Sequence, residues 1–200
     1  SLVVEVPADT VKPVITLTGD ATVTVEAGGS YSDAGATASD DKDGDVTSSI
    51  AETDTVDAST VGAYTVTYNV SDTAGNAADA VVRTVNVVDT TVPVITLVGL
   101  QEDPLEIEVF STYTEPGATA SDSYDGDLTG SIIITYSTYG IGVVNEVGAF
   151  TVAYNVSDAE GNAAVEVFRT VNVVDTTAPV ITLTGDATVT VEAGSTYTDA

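Results

Sequence analysis

The feature that most constrains the fold of this chain is that the sequence repeats itself. One opening motif occurs three times, as "DTVKPVITLTGD" from Asp9, "DTTVPVITLVG" from Asp89 and "DTTAPVITLTGD" from Asp175. The first two copies lead through further shared motifs to the same ending, "RTVNVVDTT", which starts at Arg83 and again at Arg169. Self-similarity at a period of this length indicates an array of units that contact their neighbours. The chain is therefore predicted to be a tandem array.

The repeated motifs also set the predicted domain boundaries. Residues 13–89 form one complete repeat, and residues 90–175 form a second repeat that is longer because of an insertion. Residues 1–12 are expected to be the end of a preceding repeat and its linker. Residues 176–200 are expected to start a further, incomplete repeat. On this interpretation the sequence is a window cut from a longer array.

The fold class follows from the pattern inside a repeat. In "YTVTYNVS" from Tyr64, apolar or aromatic residues alternate with small polar ones, which is typical of a half-buried strand. Gly, Asp and Asn interrupt the sequence often enough to give about seven short strands in about 80 residues. The prediction is an all-β fold of tandem immunoglobulin-like β-sandwich domains arranged end to end. Pro93 and Pro179 are expected to begin the first strand of their repeats, where a missing N–H is tolerated.

Two further residue types support the sandwich prediction. Tyr64 follows Val-Gly-Ala at the start of its strand, which fits a tyrosine corner whose hydroxyl bonds to upstream backbone. The alternation also turns Arg83 and its equivalent Arg169 toward the core. A buried guanidinium needs a carboxylate partner. We expect Asp33 and Glu115, which occupy equivalent positions, to be those partners.

Composition excludes several classes of function. The chain has 31 acidic residues, four basic residues and a formal net charge of −27, so binding to nucleic acid or to anionic membranes is not expected. No apolar run approaches 20 residues, so no membrane insertion is expected within this segment. The sequence lacks His and Cys, and with them the usual general base, thiol nucleophile and zinc ligands. A carboxylate-pair hydrolase remains formally open, but the prediction is that the chain is not an enzyme.

Acidic residues concentrate in two loops of each repeat and in the linker before it. In a seven-stranded sandwich both loops return to the end of the domain at which the chain enters, so the loop acids and the linker acid should meet there. Such an oxygen-rich set suits Ca²⁺. The predicted metal ligands are Asp9, Asp40, Asp43, Asp45 and Asp72 in the first repeat, and Asp89, Asp122, Asp125, Asp127 and Asp158 in the second. Asp41, Asn76, Glu108 and Asn162 are supplementary candidates.

Two other interpretations of the acidic loops stay open. The aspartates could form a solvated turn in which side-chain oxygens bond nearby backbone amides. They could also pair with Arg83 or Arg169. The retention of the Asp-x-x-Asp-x-Asp spacing in both repeats favours calcium over these alternatives, because Asp41 and Lys42 change to Ser123 and Tyr124 while the other acids persist.

The chain loosely resembles cadherin repeats, through Pro13, Ala38-x-Asp40 and Tyr64-x-Val66-x-Tyr68-x-Val70-x-Asp72. In cadherins the matching positions bind calcium between domains, although "DTTVP" supplies one linker acid where cadherins supply several. The resemblance to bacterial immunoglobulin-like surface repeats is closer, through "PVITLTGD", "GATASDDKDGDVT", "YNVSDTAGN" and "RTVNVVD". That resemblance implies an extracellular module, on a bacterial cell surface or secreted.

The functional prediction is a structural stalk or extender of a bacterial adhesin or extracellular filament, with calcium as a stiffening ion. The expected partners are neighbouring repeats of the same chain, and also like chains in a filament or a surface ligand bound elsewhere. The alternative is an accessory module of a secreted protein that binds carbohydrate or protein. Tyr136 and Tyr139 in the insertion could supply an aromatic platform for a sugar.

Overall fold

The computed structural model describes residues 7–99, 104–137 and 142–199, and this part of the chain is all-β, as predicted. The first repeat has β1 (Val14–Leu17), β2 (Thr22–Glu26), β3 (Ala36–Asp40), β4 (Gly44–Asp45), β5 (Ala51–Asp54), β6 (Gly62–Asn69) and β7 (Val81–Val88). The second has β8 (Val94–Leu97), β9 (Leu105–Glu108), β10 (Thr112–Tyr113), β11 (Ala118–Asp122), β12 (Gly126–Asp127), β13 (Ile133–Tyr136), β14 (Gly142–Val143), β15 (Gly148–Asn155) and β16 (Val167–Val174). Short 3₁₀ turns occupy Thr47–Ser49 and Thr129–Ser131. Within the described residues, no helix has the length and apolar character of a membrane span.

The seven strands of the first repeat form two sheets. Antiparallel pairing joins β1, β3 and β4, and the second sheet has the order β2-β7-β6-β5. In that second sheet β2 runs parallel to β7, with Thr22 opposite Thr84 and Glu26 opposite Val88. The hydrophobic core takes residues from both sheets, as a β-sandwich requires: Ile15, Ala38, Val46, Val66, Tyr68, Val70 and Val85.

The strands form because β-branched and aromatic residues alternate with polar ones at the period of a strand. On β6, Val66 and Tyr68 are buried, while Thr65 and Asn69, which point the other way, are more accessible to solvent. The predicted alternation from Tyr64 is therefore confirmed. The hydroxyl of Tyr64 donates to the carbonyl of Thr60 at 2.9 Å, so the predicted tyrosine corner is also present.

The second repeat uses the same strand orders. One sheet has the order β12-β11-β8, another has the order β13-β15-β16-β9, and β10 pairs with β14. Strand β16 runs parallel to β9, with Val171 opposite Leu105, which matches the β2–β7 pair of the first repeat. The chain divides into two compact units, residues 1–97 with 118–133 and 154–167, and residues 98–117 with 134–153 and 168–200. The domain boundaries and the end-to-end arrangement inferred from the repeats remain predictions.

A buried charge network lies inside the first repeat. Arg83 on β7 is 1% exposed and pairs with Asp33, as predicted. Its other donors reach the carbonyls of Asp20 at 2.9 Å and Thr18 at 2.6 Å. Burial alone would raise the pKa of Asp33, but hydrogen bonds from Tyr31, Tyr68 and Arg83 outweigh burial and lower that pKa to about 2. Both charges are therefore compensated within the core.

The second repeat contains the same arrangement with a longer acid. Arg169 Nε donates to Glu115 Oε1 at 3.0 Å, and Arg169 Nη2 donates to the carbonyl of Val98 at 2.7 Å. The hydroxyl of Tyr113 also donates to Glu115. The predicted partner of Arg169 is confirmed. The two arginines are thus engaged with acids of their own repeats, which removes the interpretation in which the acidic loops pair with them.

Proline marks the first strand in the two complete repeats but not in the third copy. Pro13 and Pro93 immediately precede β1 and β8. The prediction for Pro179 was wrong, because residues 179–199 contain no strand and Val180 and Ile181 are exposed. The physical reason is pairing: β1 bonds to β3, and the third copy has no counterpart of β3 in these 200 residues.

Candidate metal site at the acidic poles

The two acidic loops and the entering linker meet at one end of the first repeat. Asp43, after β3, accepts hydrogen bonds from the Thr73 amide at 2.7 Å and the Thr73 hydroxyl at 2.9 Å. Asn76, in the β6–β7 connection, donates from Nδ2 to the linker carbonyl of Asp9 at 3.2 Å. We call this group the first pole: Asp9, Asp40, Asp41, Lys42, Asp43, Asp72, Thr73, Ala74 and Asn76.

The same contacts recur where the second repeat begins. The Ala159 amide donates to Asp125 Oδ2 at 2.8 Å, and Asn162 Nδ2 donates to the carbonyl of Asp89 at 3.1 Å. Asp158 Oδ1 accepts from the Asn162 amide at 2.7 Å. We call this group the second pole: Asp89, Thr91, Asp122, Ser123, Tyr124, Asp125, Asp158, Ala159, Glu160 and Asn162.

Each pole brings three carboxylates close enough to share a cation. At the second pole, one oxygen each from Asp89, Asp125 and Asp158 lie within 4.8 Å of one another. At the first pole the corresponding trio is Asp9, Asp40 and Asp41. Clustered acids are common on protein surfaces, so the trios alone do not define a site. Their buried oxygens carry the argument further.

One carboxylate oxygen at each pole is buried and lacks a hydrogen-bond donor among the described residues. At the second pole this atom is Oδ2 of Asp89, a residue that is only 5% exposed. The other oxygen, Oδ1, accepts from the amide of Thr91 at 3.1 Å and from its hydroxyl at 2.6 Å. At the first pole the atom is Oδ2 of Asp40. A buried acceptor without a partner costs about 1–3 kcal/mol, and more when it is charged, so a bound cation would remove a real penalty.

The turn interpretation and the metal interpretation use different oxygens. Oδ1 of Asp40 accepts from the amides of Lys42 at 2.9 Å and Asp43 at 3.0 Å, which forms the turn expected of an aspartate in a loop. Asp122 does the same, and the backbone hydrogen bond from Tyr124 is the main cause that lowers its pKa. The turns are therefore present, and they leave the second oxygen of Asp40 available.

The structure separates the predicted ligands into three groups. Asp9, Asp40, Asp89, Asp125 and Asp158 belong to the trios. Asp43, Asp72 and Asp122 lie beside them. Asp43 accepts a hydrogen bond from Thr73, and Asp72 accepts one from Asn76. Asp122 accepts hydrogen bonds from the hydroxyl of Thr91 and from the amide of Tyr124. Asp45 and Asp127 turn away: each accepts from the amide of the threonine two residues later, Thr47 or Thr129, at 2.9 Å.

Glu108 lies elsewhere than expected. It accepts hydrogen bonds from the amide and hydroxyl of Thr176, both at 2.8 Å, and so holds the linker that leaves the second repeat. Its equivalent, Glu26, holds Thr90 in the same way, at 2.7 and 2.9 Å, next to Asp89. Sequence reasoning missed Glu26, although its position at the end of β2 matches that of Glu108 at the end of β9.

The insertion gives little support to a sugar-binding platform. Tyr136 lies on β13 and is half-buried, and burial raises its pKa. Tyr139 lies outside the described residues. The alternative based on this pair therefore stays a sequence-based prediction.

The basic side chains of the protein are distributed unevenly between the poles. The chain has four basic residues, and two of them are held by the cores. Lys12 pairs with Asp79 at 2.9 Å, and Lys42 Nζ lies 3.7 Å from Asp9 Oδ1 at the first pole. No basic side chain is paired with an acid of the second pole among the described residues. Burial and the like charges of Asp125, Asp89 and Asp158 raise the pKa of Glu160.

The fold and the poles define a class: immunoglobulin-like β-sandwich repeats whose entering linker is bonded into an acidic end. The family model described as "Bacterial surface protein, Ig-like domain" matches residues 15–87 and 95–173, which is most of each complete repeat. The chain belongs to this family, as the resemblance predicted.

Curated relatives include two proteins named hyalin. The chain is 34% identical to hyalin of Strongylocentrotus purpuratus over 143 residues, which is 68% of this chain and 11% of that protein. It is 39% identical to hyalin of Lytechinus variegatus over 132 residues, 62% of this chain and 23% of that protein. The chain thus spans less than a quarter of the length of either relative.

Similar solved structures include a lipoprotein of Bacteroides thetaiotaomicron, with 20% identity and a TM-score of 0.35 over 78% of this chain and 99% of that one. Another is the M60 catalytic domain with the CBM51-1 and CBM51-2 domains of Clostridium perfringens ZmpB. Its identity is 14% and its TM-score 0.42, over 82% of this chain and 31% of that one.

Proposed function

We propose that this chain is an extender segment of a bacterial surface protein, and that Ca²⁺ bound at the start of a repeat stiffens the linker there. The single observation that supports this most is the Asp89 carboxylate. It belongs to the linker, its Oδ2 atom is buried and has no donor among the described residues, and the carboxylate clusters with two acids of the following repeat. A cation at that position would tie the linker to the repeat it enters.

The chemistry of the pole favours calcium over other ions. The available ligands are carboxylate, carbonyl and amide oxygens, and Ca²⁺ prefers six to eight oxygen ligands in a flexible geometry. Zinc and other softer metals prefer His and Cys, which the sequence lacks. Extracellular calcium modules bind with dissociation constants of about 0.1–1 mM, which suits calcium concentrations outside cells. The surface location of the family is consistent with such exposure.

The repeat organisation supports a spacing role. Repeats that contact only their neighbours give a length that grows with copy number. The net charge of −27 disfavours association between like chains through repulsion. An extender needs no catalytic group, and this agrees with the composition. Its adhesive or enzymatic partner would lie elsewhere in the protein.

A thermal melt of the whole chain tests calcium binding. With 1 mM Ca²⁺ and a dissociation constant near 0.1 mM, linkage stabilises the native state by about 1.4 kcal/mol. We expect the melting temperature of the repeat to rise by about 5–10 °C relative to chelator. The Asp158→Asn variant should lose most of this rise. Glu52→Gln, which removes an exposed charge on β5, should keep it.

Hydrogen exchange tests stiffening as distinct from binding. The amide of Thr91 bonds to Asp89, and that of Thr90 bonds to Glu26, so both report on the linker. Calcium should slow their exchange, whereas equal ionic strength from NaCl should not. A calcium-dependent melt with unchanged exchange at these amides would contradict the stiffening role. An unchanged melt would contradict calcium binding itself.

A further inference from the structure

We infer that the two poles differ in their need for calcium: the second pole is the calcium-dependent site, whereas the first is partly neutralised by its own chain. This inference rests on the proposed calcium function and assigns it to one site. Each pole has a trio of acids and a buried oxygen without a donor among the described residues, so each meets the basic requirement of a site. Three sequence differences then separate them.

The first difference is a built-in cation. Lys42 Nζ lies 3.7 Å from Asp9 Oδ1, and the side chain of Asp9 is 10% exposed, so the ammonium group faces a nearly buried carboxylate. The second repeat has Tyr124 at the position of Lys42. The oxygen of Tyr124 accepts from the amide of Val61 at 3.2 Å, so this side chain brings no positive charge to Asp89. Lys42 would compete with a metal ion for the first pole.

The second difference is a freed oxygen. At the first pole the amide and hydroxyl of Thr73 occupy both oxygens of Asp43, and Asp43 stays outside the trio. The second repeat replaces Thr73 with Ala159, whose amide occupies only Oδ2 of Asp125. Asp125 belongs to its trio. Loss of one hydroxyl group thus accompanies the recruitment of this acid as a candidate ligand.

The third difference is an added charge. Ala74 of the first pole corresponds to Glu160 of the second, two residues after Asp158. The change from Asp41 to Ser123 removes a charge in the opposite direction, and because Asp41 and Glu160 are both exposed, these two changes approximately offset each other. Within the described residues, the second pole therefore has no basic side chain paired with its acids. Asp125 accepts one hydrogen bond from the facing loop, whereas Asp43 accepts two.

Calorimetric titration of the whole chain with CaCl₂ tests this assignment. Asp40→Asn isolates the second pole and Asp89→Asn isolates the first. We expect the dissociation constant of the second pole to be about tenfold lower than that of the first, as one nearby unit charge near a surface would produce. Tyr124→Lys should weaken the second pole by about tenfold. Lys42→Tyr should strengthen the first.

A matched variant separates charge from packing. Tyr124→Phe removes the acceptor of the Val61 amide without adding a charge, so its calcium affinity should equal that of the unmodified chain. Equal affinities at the two poles, or equal effects of Tyr124→Lys and Tyr124→Phe, would overturn the assignment while leaving the calcium proposal intact. If calcium titration gave no heat of binding at either pole, the calcium proposal would be overturned and this inference with it.

Discussion

Two buried carboxylates of this molecule meet opposite conditions. Asp33, in the core of the first repeat, receives hydrogen bonds from Arg83, Tyr31 and Tyr68. Asp89, at the second pole, receives donors from Thr91 on one oxygen and none on the other among the described residues. Both side chains are largely removed from solvent. Burial therefore destabilises both carboxylates, and among the described residues the protein supplies a compensating positive charge only to Asp33.

The difference shows where a fold of this kind can supply a positive charge. A strand position that faces the core fixes the direction of a long side chain, so Arg83 can reach Asp33 and two backbone carbonyls at once. The second pole consists of loops and a linker, and the charged side chains that define it are all acidic. The proposed calcium ion would supply the positive charge that the described part of the chain does not place beside Asp89.

The largest effect should come from breaking the core network. Arg83→Met should lower the free energy of unfolding of the first repeat by about 3–5 kcal/mol, because Asp33 would stay buried without its cation. Urea denaturation measures this loss. The double variant Arg83→Met/Asp33→Leu should recover a large part of it. A loss below about 1 kcal/mol for the single variant would mean that the network is not buried as described.

Acid should affect the core network next. The pKa of Asp33 is about 2 in the folded state, below its unfolded value of about 3.9. Because the folded pKa is the lower one, the stabilisation is complete above about pH 4 and is lost as the pH falls toward 2. Melting temperatures between pH 5 and pH 2 should therefore fall less steeply for Asp33→Asn than for the unmodified chain. Equal slopes would contradict the shifted pKa.

The smallest effect should come from Asp89→Asn, which we expect to change the free energy of unfolding in opposite directions without and with calcium. In chelator, Asp89→Asn should raise the free energy of unfolding by about 0.5–1 kcal/mol, since it removes a buried charge without a partner. In millimolar calcium the same variant should be less stable than the unmodified chain. Thermal melts under both conditions measure this, with Glu52→Gln as the charge-matched control. A destabilised variant in chelator would show that Asp89 is already satisfied by the protein.

The sequence predicted the elements whose cause is local or periodic. Alternation from Tyr64 placed Val66 and Tyr68 inside, and the same parity turned Arg83 inward toward Asp33. Sandwich topology brought the two acidic loops to the entering linker, where Asn76 and Asn162 now bond linker carbonyls. These features follow from the alternation of residues along each strand and from the topology of the sandwich.

The remaining details of the site depend on competition between hydrogen-bond partners. Asp43 and Asp45 look equivalent in the sequence. Asp45, however, accepts a hydrogen bond from the Thr47 amide within its own turn, whereas Asp43 accepts one from the Thr73 amide in the other loop. Glu108 was assigned to the wrong end because its target, Thr176, is distant in sequence. Loop side chains have several donors within reach, and only three-dimensional positions decide among them.

The parallel pairing of β2 with β7 has a mechanical consequence. The chain enters each repeat just before its first strands and leaves at the end of the last one, so a pull on both ends slides β2 and β7 along each other. Their paired residues, from Thr22 with Thr84 to Glu26 with Val88, then bear the load together in shear and not one after another. Strands β9 and β16 repeat this geometry. Resistance to tension along the chain is thus a property of the strand order in each repeat.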